Sequence, residues 1–184
     1  LRSEIRNVLL RMIKLGPTVD IRRCARGSPM FSGAELAALV NEAALIATMQ
    51  NKEFVEQDDL EEARDKIRWG RAKKSRVMDE KENRATAYHE AGHALVQALL
   101  SDADPLHKVS IIPRGPYAGM TAALPERDRT NYSCRYLRAT MRVLCAGRIA
   151  EQLFCGDINT GAMADIRQVT EMARKMVTEW GMTD

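Results

Sequence analysis

The chain has 184 residues, of which 45% are hydrophobic and 29% are charged, a balance typical of folded globular proteins and unlike that of disordered or collagen-like chains. Its formal charge of +3 is too small to predict nucleic-acid binding by itself. No apolar run approaches the roughly 18 residues that a membrane-spanning helix needs, and no secretory signal is recognised, so we expect neither feature within this sequence.

Cysteine usage points to a reducing compartment. The four cysteines, Cys24, Cys134, Cys145 and Cys155, show no C-x-x-C spacing. Cys145 and Cys155 lie among apolar neighbours in a helical pattern, where a free cysteine most often fills a small space in the core. We therefore expect free thiols that pack rather than react.

The first third of the chain carries helical patterns. Residues 1–15 form an apolar stripe that ends at Gly16-Pro17, and a short helix is predicted to start at Asp20 and end at Gly27. The serine of Ser32-Gly33-Ala34-Glu35 can cap the next helix while the glutamate reaches back to it.

That helix is predicted to reach about Met49, and a further helix to start at Asp58. Residues 1–68 are thus predicted to form a small helical bundle that has no catalytic arrangement of Ser, His or Cys residues.

Basic residues crowd the segment 66–76 around Gly70, with Trp69 as its large apolar residue. One aromatic residue and no motif give weak support for a nucleic-acid surface, so we interpret residues 69–78 as a solvated basic linker. Steeply salt-dependent binding of DNA or RNA would support the alternative.

The second part of the chain is predicted to mix helices with two short strands. Asp79 can cap a helix that runs to about Leu100 and is stopped by Asp104-Pro105. Strands are predicted at residues 109–112 and 119–124, each bounded by proline and glycine. The exposed edge of such a strand can pair with an extended peptide backbone of any sequence.

Two helices are predicted to follow. Ser133 can cap a long helix whose apolar positions run from Leu137 to Leu153, with Gly156 closing it. The last helix is predicted to begin near Gly161 and to place Asp165 in its first turn, where a carboxylate also suits the helix dipole.

The helix after Asp79 contains the motif that carries the chemistry, His89-Glu90-Ala91-Gly92-His93. Residues four apart lie on one helix face, so His89 and His93 can offer both imidazoles to one metal ion, with Glu90 beside them as general base. Such a metal ion activates water and polarises a carbonyl group. The alternative is a structural histidine pair, but two of the three histidines of the chain fall in this motif and its flanking residues are small.

A third metal ligand is needed, and the residues alone leave three candidates open. The metzincin pattern is excluded because Val96 and Leu99 stand where it needs glycine and histidine. The candidates are His107, Glu151 and Asp165.

Several longer stretches of sequence, taken together with the His-Glu-x-x-His motif, form a combination that is highly specific. They are Asp104-Pro105-Leu106-His107-Lys108-Val109-Ser110-Ile111-Ile112-Pro113-Arg114-Gly115, Leu124-Pro125-Glu126, Gly147-Arg148-Ile149-Ala150-Glu151, Thr160-Gly161-Ala162-Met163-Ala164-Asp165-Ile166, and, before them, Ala25-Arg26-Gly27-Ser28-Pro29-Met30-Phe31-Ser32-Gly33-Ala34-Glu35-Leu36. Together they resemble the FtsH family of membrane-anchored AAA zinc metalloproteases, over nearly the whole chain.

The resemblance implies a mainly α fold: a helical ATPase lid over residues 1–68, a basic linker over 69–78, and a helical zincin-type peptidase domain over 79–184 with a small β-hairpin or short sheet. It implies Zn²⁺ held by His89, His93 and Asp165, with Glu90 as the catalytic general base. Glu151 would be a carboxylate behind the ligands, and His107 a structural residue. It further implies that Gly33 and Ala34 lie near the nucleotide.

The family resemblance also implies an ATP-dependent endopeptidase that assembles as a homohexamer, degrades unfolded and membrane-extracted proteins, and binds no nucleic acid. Its peptidase domain would face a reducing aqueous compartment, at the cytoplasmic face of a bacterial membrane or at an organelle inner membrane. No G-x-x-x-x-G-K-[ST] motif occurs, so ATP and Mg²⁺ and the N-terminal membrane anchor are expected of a full-length protein only, and the peptidase domain is expected to be truncated at its C-terminus. The alternative function is a non-catalytic helical adaptor.

Overall fold

The structure is a computed structural model that describes residues 10–11, 13–29, 31–73, 79–125 and 129–183. It divides into two compact units, the first made of Leu1–Lys73 with Arg114–Pro116 and the second of Lys74–Pro113 with Tyr117–Asp184. The described residues form six α-helices and one two-stranded sheet, which confirms the mainly α prediction. Most of the apolar stripe predicted for residues 1–15 lies outside the described residues.

Local capping signals determine where the first two helices of unit 1 begin. Helix α1 spans Ile21–Arg26, and the side chain of Asp20 accepts hydrogen bonds from two main-chain N–H groups of its first turn. Helix α2 spans Gly33–Met49 and starts with the predicted capping box, in which Ser32 and Glu35 bond each other's main-chain N–H groups. Both predictions are confirmed.

Helix α3 spans Gln57–Trp69, one residue more than predicted at its start, because Asp59 accepts a hydrogen bond from the main-chain N–H of Glu56 at 2.9 Å. It also takes in part of the predicted basic cluster. Lys66 forms an ion pair with Glu42 of α2, and the Arg68 guanidinium lies 5.1 Å from the centre of the Trp69 ring. These two basic residues thus belong to helix α3 and precede the linker predicted over residues 69–78.

The core of unit 1 lies between α2 and α3. Its buried members are Leu10, Cys24, Leu39, Val40, Ala43, Ala47, Val55, Leu60 and Ala63. Met49, the last residue of α2, is 78% exposed.

Two helices dominate unit 2. Helix α4 spans Glu80–Leu99 and helix α5 spans Cys134–Cys155. They approach closely at Gly92, where an added Cβ would lie 2.6 Å from the main-chain oxygen of Ala146. Helix α4 ends at Leu99, one residue from the predicted end, and Leu100 has an extended conformation with φ −96° and ψ 113°.

The sheet of unit 2 is an antiparallel pair. Strand β1 spans Leu106–Ser110 and β2 spans Met120–Ala123, with Val109 opposite Thr121. Ile111 and Ile112 were predicted in the strand but lie beyond it. The side chain of Ser110 accepts a hydrogen bond from the main-chain N–H of Ile112 at 3.1 Å. This local bond takes the place of a hydrogen bond between strands.

The end of the chain follows the predicted pattern. Ser133 caps α5, and Gly156 ends it in the left-handed conformation with φ 70°. A 3₁₀ turn, Thr160–Ala162, leads into helix α6, Met163–Thr178.

Two predictions of burial on helix α5 are wrong. The four cysteines, all within the described residues, form no disulfide, but Cys155 is exposed and fills no core space. Leu153, predicted on the buried stripe, is 71% exposed at the rim of an apolar groove of about 830 Å³ along α4 and α5. Across the described residues, every helix is too short or too polar to cross a membrane.

Candidate metal centre

The two histidines of the motif meet on one face of α4. His89 and His93 lie one turn apart, and their Nε2 atoms are 2.9 Å from each other. Their rings stand nearly perpendicular, at 83°. Both nitrogen atoms therefore point to one small region, as the helical spacing predicts.

The other ring nitrogen of each histidine, Nδ1, has a hydrogen-bond partner. His93 Nδ1–H donates to the main-chain oxygen of Val143 at 2.7 Å, and His89 Nδ1 lies 2.6 Å from Oε1 of Glu151. The other carboxylate oxygen of Glu151 accepts a hydrogen bond from the main-chain N–H of Asn159 at 2.9 Å. Because Nδ1 carries the proton, each Nε2 keeps its lone pair for another partner.

Asp165 supplies a third donor atom from the first turn of α6. Its Oδ2 lies 3.3 Å from His89 Nε2 and 3.6 Å from His93 Nε2. The three donor atoms all lie within 4.8 Å of one another, an arrangement that can hold a metal ion.

The three residues that sequence reasoning left open as third ligand are thus separated in space. Asp165 faces the two Nε2 atoms, while Glu151 stands behind His89. His107 lies in β1 at an irregularity of the ladder and is not a member of the converging group.

Ionisation of the site follows from its contacts. Burial opposes ionisation of Asp165, but hydrogen bonds to His89 and His93 outweigh it and lower its pKa to about 2. Burial likewise disfavours the charged form of His89, but the hydrogen bonds to Asp165 and Glu151 prevail and raise its pKa. The contacts therefore shift both groups in the direction that favours their charged forms.

Glu90 is buried next to the histidines, with 6% of its surface exposed. Burial raises the pKa of its carboxyl group above the usual value, against a hydrogen bond from Thr121 and the nearby histidines. A glutamate with a raised pKa beside a metal-type cluster suits both accepting and returning a proton.

Sequence reasoning missed Gly147 as part of this site. A Cβ atom there would lie 2.5 Å from Nε2 of His93 and 2.7 Å from Cε1 of His89, so only glycine leaves room for both rings. The available signal was its position inside α5, where glycine costs about 1 kcal/mol relative to alanine and therefore suggests a close contact.

Two further residues were missed, one in β2 and one immediately before it. Thr121 donates a hydrogen bond to Glu90, and Gly119 packs directly against the same side chain. A short strand read from sequence gives no sign of which helix it faces, so neither could be found that way.

The residues expected near a nucleotide lie in the other unit. Gly33 and Ala34 open helix α2, and both are exposed. A Cβ at Gly33 would meet no atom within 4 Å, so this helix start is open.

Comparison with protein families identifies both parts of the chain. The model of the AAA+ lid domain matches residues 18–62, and the model of peptidase family M41 matches residues 76–184. The second match makes the helical unit with the His-Glu-x-x-His motif a metalloendopeptidase domain. It covers more than half of the sequence, and the chain belongs to peptidase family M41.

Curated relatives agree along the whole chain. It is 53% identical over 183 residues to the ATP-dependent zinc metalloprotease FtsH 2 of Methylacidiphilum infernorum (isolate V4), covering 100% of this chain and 28% of that protein. It is 49% identical over 184 residues to FtsH 4 of Sorangium cellulosum (strain So ce56), again covering 100% of this chain and 28% of the relative. The chain thus spans little more than a quarter of the length of these relatives.

Proposed function

We propose that this chain supplies the peptide-cleaving part of an ATP-dependent zinc protease, with zinc held by His89, His93 and Asp165. The convergence of three donor atoms within 4.8 Å carries the proposal. Two imidazole nitrogens and one carboxylate oxygen are the donor types of a catalytic zinc site, in which three protein ligands leave a position open.

The surroundings of the ligands fit this metal. Val143 and Glu151 hold the Nδ1 sides of the two rings and leave Nε2 as the donor in each. A carboxylate behind a ligating histidine fixes the ring and strengthens the ligand, which is the role we assign to Glu151. Gly147 supplies the space that the two rings need.

Glu90 acts as the general base in this proposal. Zinc, when bound, supplies a Lewis acid that polarises a peptide carbonyl and makes water more acidic. The Glu90 carboxylate accepts the proton of the attacking water and returns it to the nitrogen of the leaving amine. Its burial raises its pKa, which makes the carboxylate a stronger base for the first of these steps.

The first unit links this chemistry to ATP. We assign residues 1–68 to the lid, 69–78 to a connecting segment and 79–184 to the peptidase domain. The match of the AAA+ lid model to residues 18–62 supports the first assignment, and the open start of α2 supports a place for Gly33 and Ala34 near ATP and Mg²⁺ in the whole protein.

The proposal extends to the assembly. The names of the relatives, ATP-dependent zinc metalloproteases, support the ATP-dependent zinc protease. From the family resemblance of the sequence we further propose a membrane-anchored homohexamer that cleaves unfolded and membrane-extracted proteins. The free cysteines suit a peptidase domain in a reducing compartment, at the cytoplasmic side of a bacterial membrane or at an organelle inner membrane.

The test is cleavage of an unstructured fluorogenic peptide by the zinc-loaded chain and by Glu90→Gln. We expect the variant to keep its zinc and to lose hydrolysis, because glutamine cannot accept the proton. Retained hydrolysis in Glu90→Gln would refute the assigned base. Absence of cleavage by a folded, zinc-loaded wild-type chain would favour a non-catalytic adaptor.

A further inference from the structure

The side chain of Glu90 is held by strand β2 as well as by its own helix. Thr121 Oγ1 lies 2.7 Å from Oε2 of Glu90 and donates a hydrogen bond to it. The same hydroxyl lies 3.1 Å from the main-chain oxygen of Glu90. A hydroxyl has one hydrogen, so the two oxygens are alternative acceptors, and the closer carboxylate is favoured.

The other carboxylate oxygen packs against the main chain of Gly119, the residue immediately before the same strand. A Cβ atom at Gly119 would lie 2.7 Å from Oε1 and 2.9 Å from Cγ of Glu90, and 2.8 Å from Cγ2 of Thr86. Thr86 precedes Glu90 by one helical turn. The carboxylate is therefore enclosed between one turn of α4 and the main chain that leads into β2.

Thr121 is itself fixed in place. It lies opposite Val109 in the antiparallel ladder of β1 and β2. A β-branched side chain has few χ1 choices, so the ladder sets the position of its hydroxyl group. The imidazoles of His89 and His93 have other partners, Glu151 and Val143, so they do not depend on this threonine.

We infer that Thr121 is a positioning residue that holds the Glu90 carboxylate in the orientation needed for proton transfer. The inference rests on the proposed function, in which Glu90 is the general base. A glutamate side chain has several rotatable bonds, and a base misplaced by about 1 Å can lower the rate about 100-fold. A fixed hydroxyl donor removes that freedom without touching the metal ligands.

The experiment compares Thr121→Val, which keeps the shape but lacks the hydroxyl, with Thr121→Ser, which keeps the hydroxyl. Both are measured in the zinc-loaded full chain with an unstructured fluorogenic peptide. We expect Thr121→Val to lower kcat by about 10- to 100-fold with KM unchanged, and Thr121→Ser to recover most of it. Zinc affinity, measured by competition with a chelator, stays the same in both variants.

An unchanged kcat in Thr121→Val, or equal losses in both variants, would overturn the inference, as would a loss of zinc. Crystal structures of the zinc-loaded chains give a readout that needs no activity: the Glu90 carboxylate moves in Thr121→Val and stays in Thr121→Ser. If it stays in both, Thr121 does not position it. Should Thr121→Val fail to fold, Thr121→Ala takes its place in both measurements.

A wild-type chain that cleaves no peptide would count against the proposed function alone. The crystallographic comparison would still decide whether Thr121 holds Glu90.

Discussion

The buried acids of unit 1 and those at the metal site of unit 2 have different kinds of partner. In unit 1, buried acids meet guanidinium or ammonium groups: Asp65 pairs with Arg64 at 2.8 Å, and Lys52 lies 3.0 Å from Asp59. In the site of unit 2, the buried carboxylates of Glu90 and Glu151 meet a hydroxyl group and an imidazole. The acids and cations of unit 1 neutralise each other. At the metal site, the Nε2 lone pairs of His89 and His93 remain directed at one shared point. Buried acids beside imidazoles therefore indicate chemistry, and buried acids beside guanidinium groups indicate structure.

The largest effect is expected from breaking an ion pair of unit 1. The Asp65 side chain is 0% exposed and that of Arg64 is 5% exposed, so Asp65→Ala leaves a buried cation without its partner. We expect a loss of about 3–5 kcal/mol in the free energy of unfolding of this unit. Urea titration followed by Trp69 fluorescence, in a Trp180→Phe background, measures it.

The matched control is an exposed pair of the same unit. Arg23 lies 2.9 Å from Glu61, and its side chain is 58% exposed. Arg23→Ala should cost at most about 1 kcal/mol. Equal losses in the two variants would remove the distinction between buried and surface pairs on which the comparison depends.

The next effect concerns the glycine beneath the imidazoles. Gly147→Ala would bring a Cβ atom to 2.5 Å from His93 Nε2 and displace both rings. Overpacking of this kind costs about 1–3 kcal/mol, so we expect zinc affinity to fall by up to about 100-fold, as measured by chelator competition.

Gly161→Ala is the control, because a Cβ atom there meets no atom within 4 Å. It should leave zinc affinity unchanged. If Gly147→Ala binds zinc as tightly as Gly161→Ala does, the close fit at Gly147 has no role in metal binding.

A smaller effect is expected at Glu151. Glu151→Gln keeps an oxygen for His89 Nδ1–H but removes the charge that favours it. Loss of a partner behind a metal ligand weakens metal binding about 10- to 100-fold, and we expect the lower end here. Isothermal titration with zinc measures the change; unaltered affinity would show that Glu151 does not support the ligand.

Short-range patterns made much of the fold predictable. Caps at Asp20, Ser32 and Ser133 depend on residues within one turn, and all three begin a helix as predicted. The pairing of His89 with His93 is equally local, since four residues along a helix determine it.

Long-range packing limited the rest. Glu151 meets His89 across 62 residues of sequence, and Gly147 matters only because α5 crosses α4 at the imidazoles. Neither fact is encoded in a local pattern, so the residues alone left the third ligand open between His107, Glu151 and Asp165. Leu153 was wrongly predicted as buried for a related reason: periodicity finds an apolar face but not whether another element covers it.

The central claim is that Asp165 completes the metal site that His89 and His93 begin. The most direct test is zinc content per chain by mass spectrometry after exhaustive dialysis, on the wild-type chain, Asp165→Ala and His107→Ala. We predict about one zinc per chain for the wild type and His107→Ala, and a large loss for Asp165→Ala, as expected for a site with three protein ligands. Zinc retained by Asp165→Ala and lost by His107→Ala would contradict the account and move the third ligand to β1.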